Sequence, residues 1–212
     1  MAYDLEEQEQ LEGLKAFWRR HGNFIMTVIT VVLLAVAGYR GWQWYQLRQA
    51  GDAAVLYEQL RGAVEAKDMA RIKEAAGSIF EKHGGTAYAE MAALVASKAY
   101  LEGGDQKSAK APLQWAADKA TDAEFRHIAR LRLSAILLDE KAYDEALKLL
   151  GAQVPARFAP LYADRRGDVL AAQNKADEAR AQYKQALEGL DPGSPLRRLV
   201  QLKLDGLGGA AS

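Results

Sequence analysis

The sequence FIMTVITVVLLAVAGY, residues 24–39, contains sixteen consecutive residues without a charge. Extended from Gly22 to Gly41, the run covers twenty residues and includes one charge, Arg40, near its end. A helix needs about 20 apolar residues to cross the hydrocarbon core of a bilayer. Three of the four tryptophans flank this run, as in the aromatic belts at membrane–water boundaries. The pattern predicts a transmembrane helix over residues 23–43.

Two other interpretations of this run are a buried helix and a signal peptide. A buried helix of a soluble domain would need neighbours able to cover an apolar surface on all sides, and nothing nearby in the sequence supplies them. A cleaved signal peptide would use Ala35-Val36-Ala37 as its cleavage site. The long acidic segment that precedes the run, and an aromatic belt on both sides of the cut, argue against cleavage.

The charges next to the run set its expected orientation. Lys15, Arg19 and Arg20 precede it, whereas Arg40 and Arg48 follow it. Cytoplasmic flanks carry the excess of Lys and Arg, so residues 1–22 are expected to form a cytoplasmic tail. This tail is interpreted either as an amphipathic helix on the inner membrane face or as a loosely ordered segment. The domain after the run is then expected outside the cytoplasm.

Composition excludes several classes of function. The chain has 28 basic and 28 acidic residues, so overall charge gives no reason to expect nucleic-acid binding. It has no cysteine, which excludes disulfides, thiol chemistry and cysteine-based zinc sites. Its three histidines have no carboxylate three or four residues later, and no phosphate-binding loop or hydrolase motif occurs. We therefore expect no enzyme activity, no cofactor, no metal and no small-molecule substrate.

The rest of the sequence repeats with a period near 34. Alanines spaced 35, 35 and 33 residues apart are each followed four residues later by a large apolar side chain; the pairs are Ala76 and Phe80, Ala111 and Trp115, Ala146 and Leu150, Ala179 and Tyr183. Twelve residues before each alanine stand Val64, Ala99, Ser134 and Gly167. Small residues at helix crossings with bulky residues beside them are typical of tetratricopeptide repeats. A helical bundle without repeats is the alternative.

Turns and prolines mark the boundaries of the predicted repeats. Polar turns are expected at Gly103-Gly104-Asp105, Asp139-Glu140-Lys141 and Gln173-Asn174-Lys175. Pro155 and Pro160 fall between the third and fourth repeats, and Pro112 is expected in the first turn of its helix. Ser194-Pro195 predicts the start of a capping helix, with Ser194 as its N-cap.

The predicted fold is all-α. A single N-terminal transmembrane helix is followed by an α-solenoid of about four degenerate tetratricopeptide-like helix pairs over residues 46–205, with a C-terminal capping helix. Residues 206–212 are expected to be disordered. Such solenoids offer a long concave surface lined by the first helix of each pair.

Several motifs resemble the bacterial YfgM family. They are Asp4-Leu5-Glu6-Glu7-Gln8-Glu9, Leu14-Lys15-Ala16-Phe17-Trp18, His21-Gly22, Gly41-Trp42-Gln43-Trp44 and Val200-Gln201-Leu202-Lys203-Leu204-Asp205. The resemblance implies a single-pass protein of the inner membrane of Gram-negative bacteria, with its repeat domain in the periplasm. It implies association with the SecYEG translocon, with periplasmic chaperones including the membrane-anchored foldase PpiD, and with exported polypeptides. It also implies an alternative role, restraint of an envelope stress response through the regulator RcsB by way of the cytoplasmic tail.

The repeat register predicts a partner-binding groove with an apolar middle. Its candidate residues are Ala96, Tyr100, Ile128, Leu131, Ala135, Leu138 and Leu161. Glu58, Arg61 and Glu65 would give the groove a charged end near the membrane. The alternative is that these apolar residues belong to the core.

Overall fold

The computed structural model describes residues 2–151 and 153–208, and for residues 2–9 it describes the backbone only. Within these residues the chain forms nine α-helices and divides into two compact units, with the boundary between Gln49 and Ala50. The helices are α1 (Ala2–Glu65), α2 (Met69–His83), α3 (Ala87–Glu102), α4 (Gln106–Lys119), α5 (Ala123–Asp139), α6 (Tyr143–Leu150), α7 (Ala159–Ala172), α8 (Ala176–Gly189) and α9 (Pro195–Gly206). The all-α prediction is confirmed.

The apolar run of residues 24–39 lies in α1, where all of its large side chains except Ile25 are exposed. Among the described residues, α1 is the one helix long and apolar enough to cross a membrane, with a mean hydropathy of 1.9 over its most apolar window. The hydroxyls of Thr27 and Thr30 donate to the carbonyls of Asn23 and Met26, each at 2.8 Å. These bonds satisfy both hydroxyls within the helix, as a lipid environment requires. The tail is helical from residue 2 and continues into the run without a break.

Four helix pairs follow, and each pair is joined by a three-residue turn. The second compact unit contains the C-terminal part of α1 paired with α2, then α3 with α4, α5 with α6, and α7 with α8. We call the first helix of each pair the A helix and the second the B helix. The middle residue of every turn has a positive φ; these residues are Lys67, Gly104, Lys141 and Asn174.

The four turns share one hydrogen-bond pattern. The N–H of the last turn residue bonds to a carbonyl five residues earlier, for example Asp105 to Tyr100 at 2.8 Å and Lys175 to Leu170 at 2.9 Å. This pattern satisfies carbonyls at the end of the A helix and reverses the chain. The sequence predicts the last three turns. The third turn lies at residues 140–142, one residue later than predicted, and the first turn, at residues 66–68, was not predicted.

The turns fix the repeat register, which corrects the predicted register in two repeats. The buried crossing residues lie seven residues before and five residues after each positive-φ residue; they are Leu60 and Ile72, Ser97 and Ala109, Ser134 and Ala146, and Gly167 and Ala179. The prediction is right for the third and fourth repeats. In the first two repeats it is late by four and two residues, and Ala111 is exposed.

Phe80 and Trp115, predicted as the bulky partners in the first two repeats, instead stack on each other. Their ring centroids are 4.6 Å apart and their planes differ by 23°. Both side chains are half-buried, whereas the corrected register puts Leu113 in the fully buried position of the second repeat. The two rings therefore join neighbouring B helices at the surface of the core.

Two of the three predicted proline positions agree with the structure. Pro160 lies in the first turn of α7 and Pro155 lies in the connection before it. Pro112, expected in a first turn, is the seventh residue of α4 and is buried inside the helix. Because proline has no N–H, the carbonyl of Ser108 lacks its usual helical donor. The helix starts earlier than expected because Asp105 caps it, accepting from the Ser108 N–H at 2.9 Å.

The repeats stack in sequence, and α5 contacts the A helices on both sides, α3 and α7. Helix α9 covers the last pair with Val200 and Leu204, both buried. The start of α9 at Pro195 is confirmed, although the Ser194 side chain makes no capping bond. Helix α9 extends to Gly206, the first of the residues expected to be disordered; residues 209–212 of that prediction lie outside the described residues.

Candidate partner-binding surface on the A helices

Part-exposed apolar side chains repeat at equivalent positions on the A helices. We call this surface the A-helix face and define it by residues 13, 10, 6 and 3 before each positive-φ residue. In α3, α5 and α7 its apolar members are Met91, Leu94, Leu101, Ile128, Leu131, Ala135, Leu138, Leu161 and Ala171. Most of them are half-buried, and Leu101 is 39% exposed. They pack on the core with one side and remain open on the other.

Five of the seven predicted site residues belong to this face. Ile128, Leu131, Ala135 and Leu138 occupy consecutive turns of α5, and Leu161 occupies the equivalent of the Ile128 position on α7. Contact of α5 with α7 makes these residues neighbours on adjacent A helices. The predicted apolar middle is therefore brought together on one surface.

The other two predicted residues lie elsewhere, which corrects the prediction. Ala96 is 0% exposed and Tyr100 is 7% exposed, and both face the B helices α2 and α4. The error comes from the register, because the turn at Gly104 puts the crossing residue of α3 at Ser97 rather than Ala99. Leu94 and Leu101 occupy the face positions that the prediction assigned to Ala96 and Tyr100.

Charged groups occupy both ends of the A-helix face. In the first repeat, Arg61 pairs with Glu58 at 3.2 Å, and both side chains are more than half exposed. In the last repeat, Asp164 and Asp168 occupy face positions and are largely buried. Of the three residues predicted for the charged first end, Arg61 has a face position, whereas Glu58 and Glu65 do not. The sequence does not predict the acidic last end, because Asp164 and Asp168 carry no recognisable motif.

The acidic end is held by the capping helix. Lys203 Nζ of α9 lies 2.7 Å from Asp164 Oδ1 and 2.7 Å from Asp168 Oδ1. The hydroxyl of Tyr183 donates to Asp168 Oδ1 at 3.0 Å. Burial raises the pKa of Asp164, and the hydrogen bond from Lys203 opposes that rise. Burial and the neighbouring Asp168 also raise the pKa of Tyr183, which keeps its hydroxyl a donor.

A buried histidine fixes α5 against α7 behind the face. His127 is 6% exposed, and its Nδ1 lies 2.9 Å from the hydroxyl oxygen of Tyr162. Its ring stacks on Phe158 with centroids 4.9 Å apart. Burial, followed by the charges of Arg130 and two further arginines, lowers the pKa of His127. The neutral imidazole therefore links the two A helices that carry the middle of the face.

A buried glutamate fixes α3 against α5 in a different way. Glu90 is 4% exposed, and its Oε1 accepts from the N–H groups of Thr121 at 2.5 Å and Asp122 at 2.9 Å. Those groups precede α5, whose N-terminus also favours a negative charge. Sequence reasoning missed this contact. The available signal is a single acid on the buried stripe of α3, between Ala89 and Ala93.

The chain is similar to known proteins over nearly its whole length. The tetratricopeptide repeat-like domain family matches residues 15–209. An ancillary SecYEG translocon subunit of Neisseria gonorrhoeae is 35% identical over 98% of this chain and 100% of its own length. Proteins of the same name from Haemophilus influenzae and Escherichia coli K12 are 30% and 24% identical, over 98% and 95% of this chain and 100% and 96% of their own lengths. No solved structure matches the chain significantly.

Proposed function

Because the chain belongs to the family of ancillary SecYEG translocon subunits, with a tetratricopeptide repeat-like domain, we propose that it is itself an accessory of that translocon. In this proposal α1 anchors the chain in the inner membrane, with the N-terminus in the cytoplasm and the repeat domain in the periplasm. The repeat domain binds exported polypeptides and periplasmic chaperones, including PpiD. Its role is binding rather than catalysis.

The proposed orientation is supported by the basic residues on the two sides of the run. Three basic residues lie within the ten residues before the apolar run, and two lie within the ten residues after it. The flank with more Lys and Arg is favoured on the cytoplasmic side.

The observation that carries the binding proposal is the A-helix face. On α5 four half-buried apolar residues follow one another over three turns. Five of the eight face positions on α3 and α7 are also apolar, and the other three are Lys98, Asp164 and Asp168. If these apolar residues only packed the core, they would be fully buried. If they only faced solvent, they would be polar. A half-open apolar strip across stacked A helices is the kind of surface on which repeat proteins bind extended chains or helices.

Site-specific photo-crosslinking in intact cells tests this proposal. A photo-reactive amino acid replaces Ala135, which lies on the face and contributes little packing, and the matched control replaces Ala181 on α8, which is exposed. We expect crosslinks from residue 135 to SecYEG subunits, PpiD or exported chains, and few from residue 181. Equal crosslinking from both positions, or none to these proteins from residue 135, would contradict the proposal.

A further inference from the structure

A second concave site lies on the other side of α3, between the B helices α2 and α4. It is an open cavity of about 340 Å³, at the lower end of the range of roughly 300–1,000 Å³ found for ligand pockets. The stacked rings of Phe80 and Trp115 form part of its apolar wall. Gly77 lines it as well, and a Cβ built at that glycine would meet no atom within 4 Å. The cavity is therefore apolar and open enough to admit a side chain.

A hydrogen-bond donor without a partner among the described residues opens into the cavity. Tyr100 lines the cavity and is 7% exposed, and its hydroxyl makes no hydrogen bond to the described residues. Burial and the charge of Asp105 raise the pKa of Tyr100, so the hydroxyl keeps its proton. The hydroxyl oxygen itself is not buried but is open to the cavity. This hydroxyl is positioned to donate to an acceptor that comes from outside the domain.

The cavity also has a backbone acceptor nearby. Ser108 and Pro112 both line it, four residues apart in α4. Because Pro112 has no N–H, the Ser108 carbonyl lacks the donor that an ordinary helix would supply. A ligand N–H can satisfy such a carbonyl. Besides this donor and this acceptor, the cationic residue Lys73 also lines the cavity.

We propose that this cavity binds one aromatic side chain of an extended, unfolded polypeptide, with the adjoining peptide unit bonded to Tyr100 and Ser108. A peptide unit offers one C=O and one N–H, which complement one hydroxyl donor and one carbonyl acceptor. The apolar wall, with its aromatic stack, suits a planar ring. The inference rests on the proposed function, in which the domain meets unfolded exported chains, and it adds a site separate from the A-helix face.

Peptide binding to the full-length chain in lipid nanodiscs tests the inference. Trp18→Phe, Trp42→Phe and Trp44→Phe leave Trp115, in the cavity wall, as the single tryptophan whose fluorescence reports binding. The probes are two blocked pentapeptides, acetyl-Gly-Ser-Phe-Ser-Gly-amide and its alanine counterpart. We expect saturable binding of the phenylalanine peptide, at least roughly tenfold tighter than the alanine peptide.

Two substitutions probe the wall and the donor. Ala111 is exposed and lines the cavity, so Ala111→Leu fills the cavity without disturbing the core, and Ala181→Leu on α8 is the matched control. We expect Ala111→Leu to weaken binding by roughly tenfold or more, and Ala181→Leu to leave it unchanged. Tyr100→Phe keeps the ring and removes the donor, which should weaken binding by roughly three- to tenfold.

Three results would overturn the inference: no saturable binding, equal binding of the two peptides, or equal binding by the Ala111→Leu and Ala181→Leu variants. The outcome is separable from the proposed function. If peptide binding fails while residue 135 still crosslinks to the translocon, only the cavity assignment is wrong. If the peptide binds but no translocon crosslinks form, the proposed function is wrong and the cavity stands as a peptide site.

Discussion

Gly167 of α7 lies directly against the ring of Tyr183 of α8. A Cβ built at residue 167 would stand 2.5 Å from Tyr183 Cε1, far inside van der Waals contact. Gly167 is the crossing residue of α7, and Tyr183, which is 3% exposed, is the bulky residue four positions after Ala179, the crossing residue of α8. The absence of a side chain at residue 167 is therefore what lets α7 and α8 pack at this distance.

Gly167→Ala should destabilise the repeat domain. The added methyl must displace a buried ring, and overpacking of this kind costs about 1–3 kcal/mol. Chemical unfolding monitored by circular dichroism measures the change in the free energy of unfolding. Gly77→Ala, in open space within α2, is the control and should stabilise the domain by about 0.5–1 kcal/mol. Equal effects of the two variants would contradict the role of the Gly167–Tyr183 contact.

Small crossing residues such as Gly167 are what make the fold predictable from the sequence. In the third and fourth repeats the small crossing residues, Ser134 and Gly167, stand at the predicted positions. In the first repeat the crossing residues are Leu60 and Ile72, so no small residue marks the register. Alanines are frequent in this chain, so the predicted repeat pattern used a nearby alanine instead of the residue that lies at the helix crossing. Pro112 was misplaced because the Asp105 cap starts α4 one turn earlier than the alanine pattern implies.

The candidate site is predictable only where the register is right. On α5 all four predicted residues lie on the A-helix face, whereas on α3 a shift of two residues puts Tyr100 on the opposite side. The cavity lined by Tyr100 depends on the spacing of α2 and α4 and on a proline inside a helix. No local pattern specifies either, so the cavity was beyond sequence reasoning.

Glu90→Ala should destabilise the junction between the second and third repeats. It leaves the buried N–H groups of Thr121 and Asp122 without their acceptor, and an unsatisfied buried donor costs about 1–3 kcal/mol. Thermal unfolding compared with Glu102→Ala, an exposed acid in the same helix, measures the effect. A Glu102→Ala midpoint as low as that of Glu90→Ala would argue against the junction contact.

His127 should make the domain less stable in mild acid. Its pKa is lowered in the folded chain, so the unfolded chain takes up a proton first as the pH falls. The stabilisation is complete above the unfolded value of about 6.5 and is lost as the pH falls through the folded pKa. Unfolding midpoints measured from about pH 7.5 to 5 should fall more steeply for the unmodified chain than for His127→Gln. Parallel pH profiles would refute this assignment.

Lys203→Met should loosen the capping helix. The two carboxylates of Asp164 and Asp168 lose their shared cation, and removing one partner of a buried ion pair typically costs about 3–5 kcal/mol. Because the Lys203 side chain is 24% exposed, we expect roughly 2–3 kcal/mol. Hydrogen exchange should become faster in α9 first. Adding Asp164→Asn to Lys203→Met should restore part of the loss, and no restoration would argue against charge as the cause.

The most direct test of the account is co-isolation of SecYEG with the full-length chain from mildly solubilised membranes. Ala135→Glu adds a charge to the middle of the A-helix face, and Ala181→Glu adds the same charge to the exposed side of α8. With unfolding midpoints confirmed to be similar, the account predicts that Ala135→Glu loses most of the co-isolated SecYEG and that Ala181→Glu retains it. Retention of SecYEG by both variants would contradict the claim that the A-helix face is the binding surface.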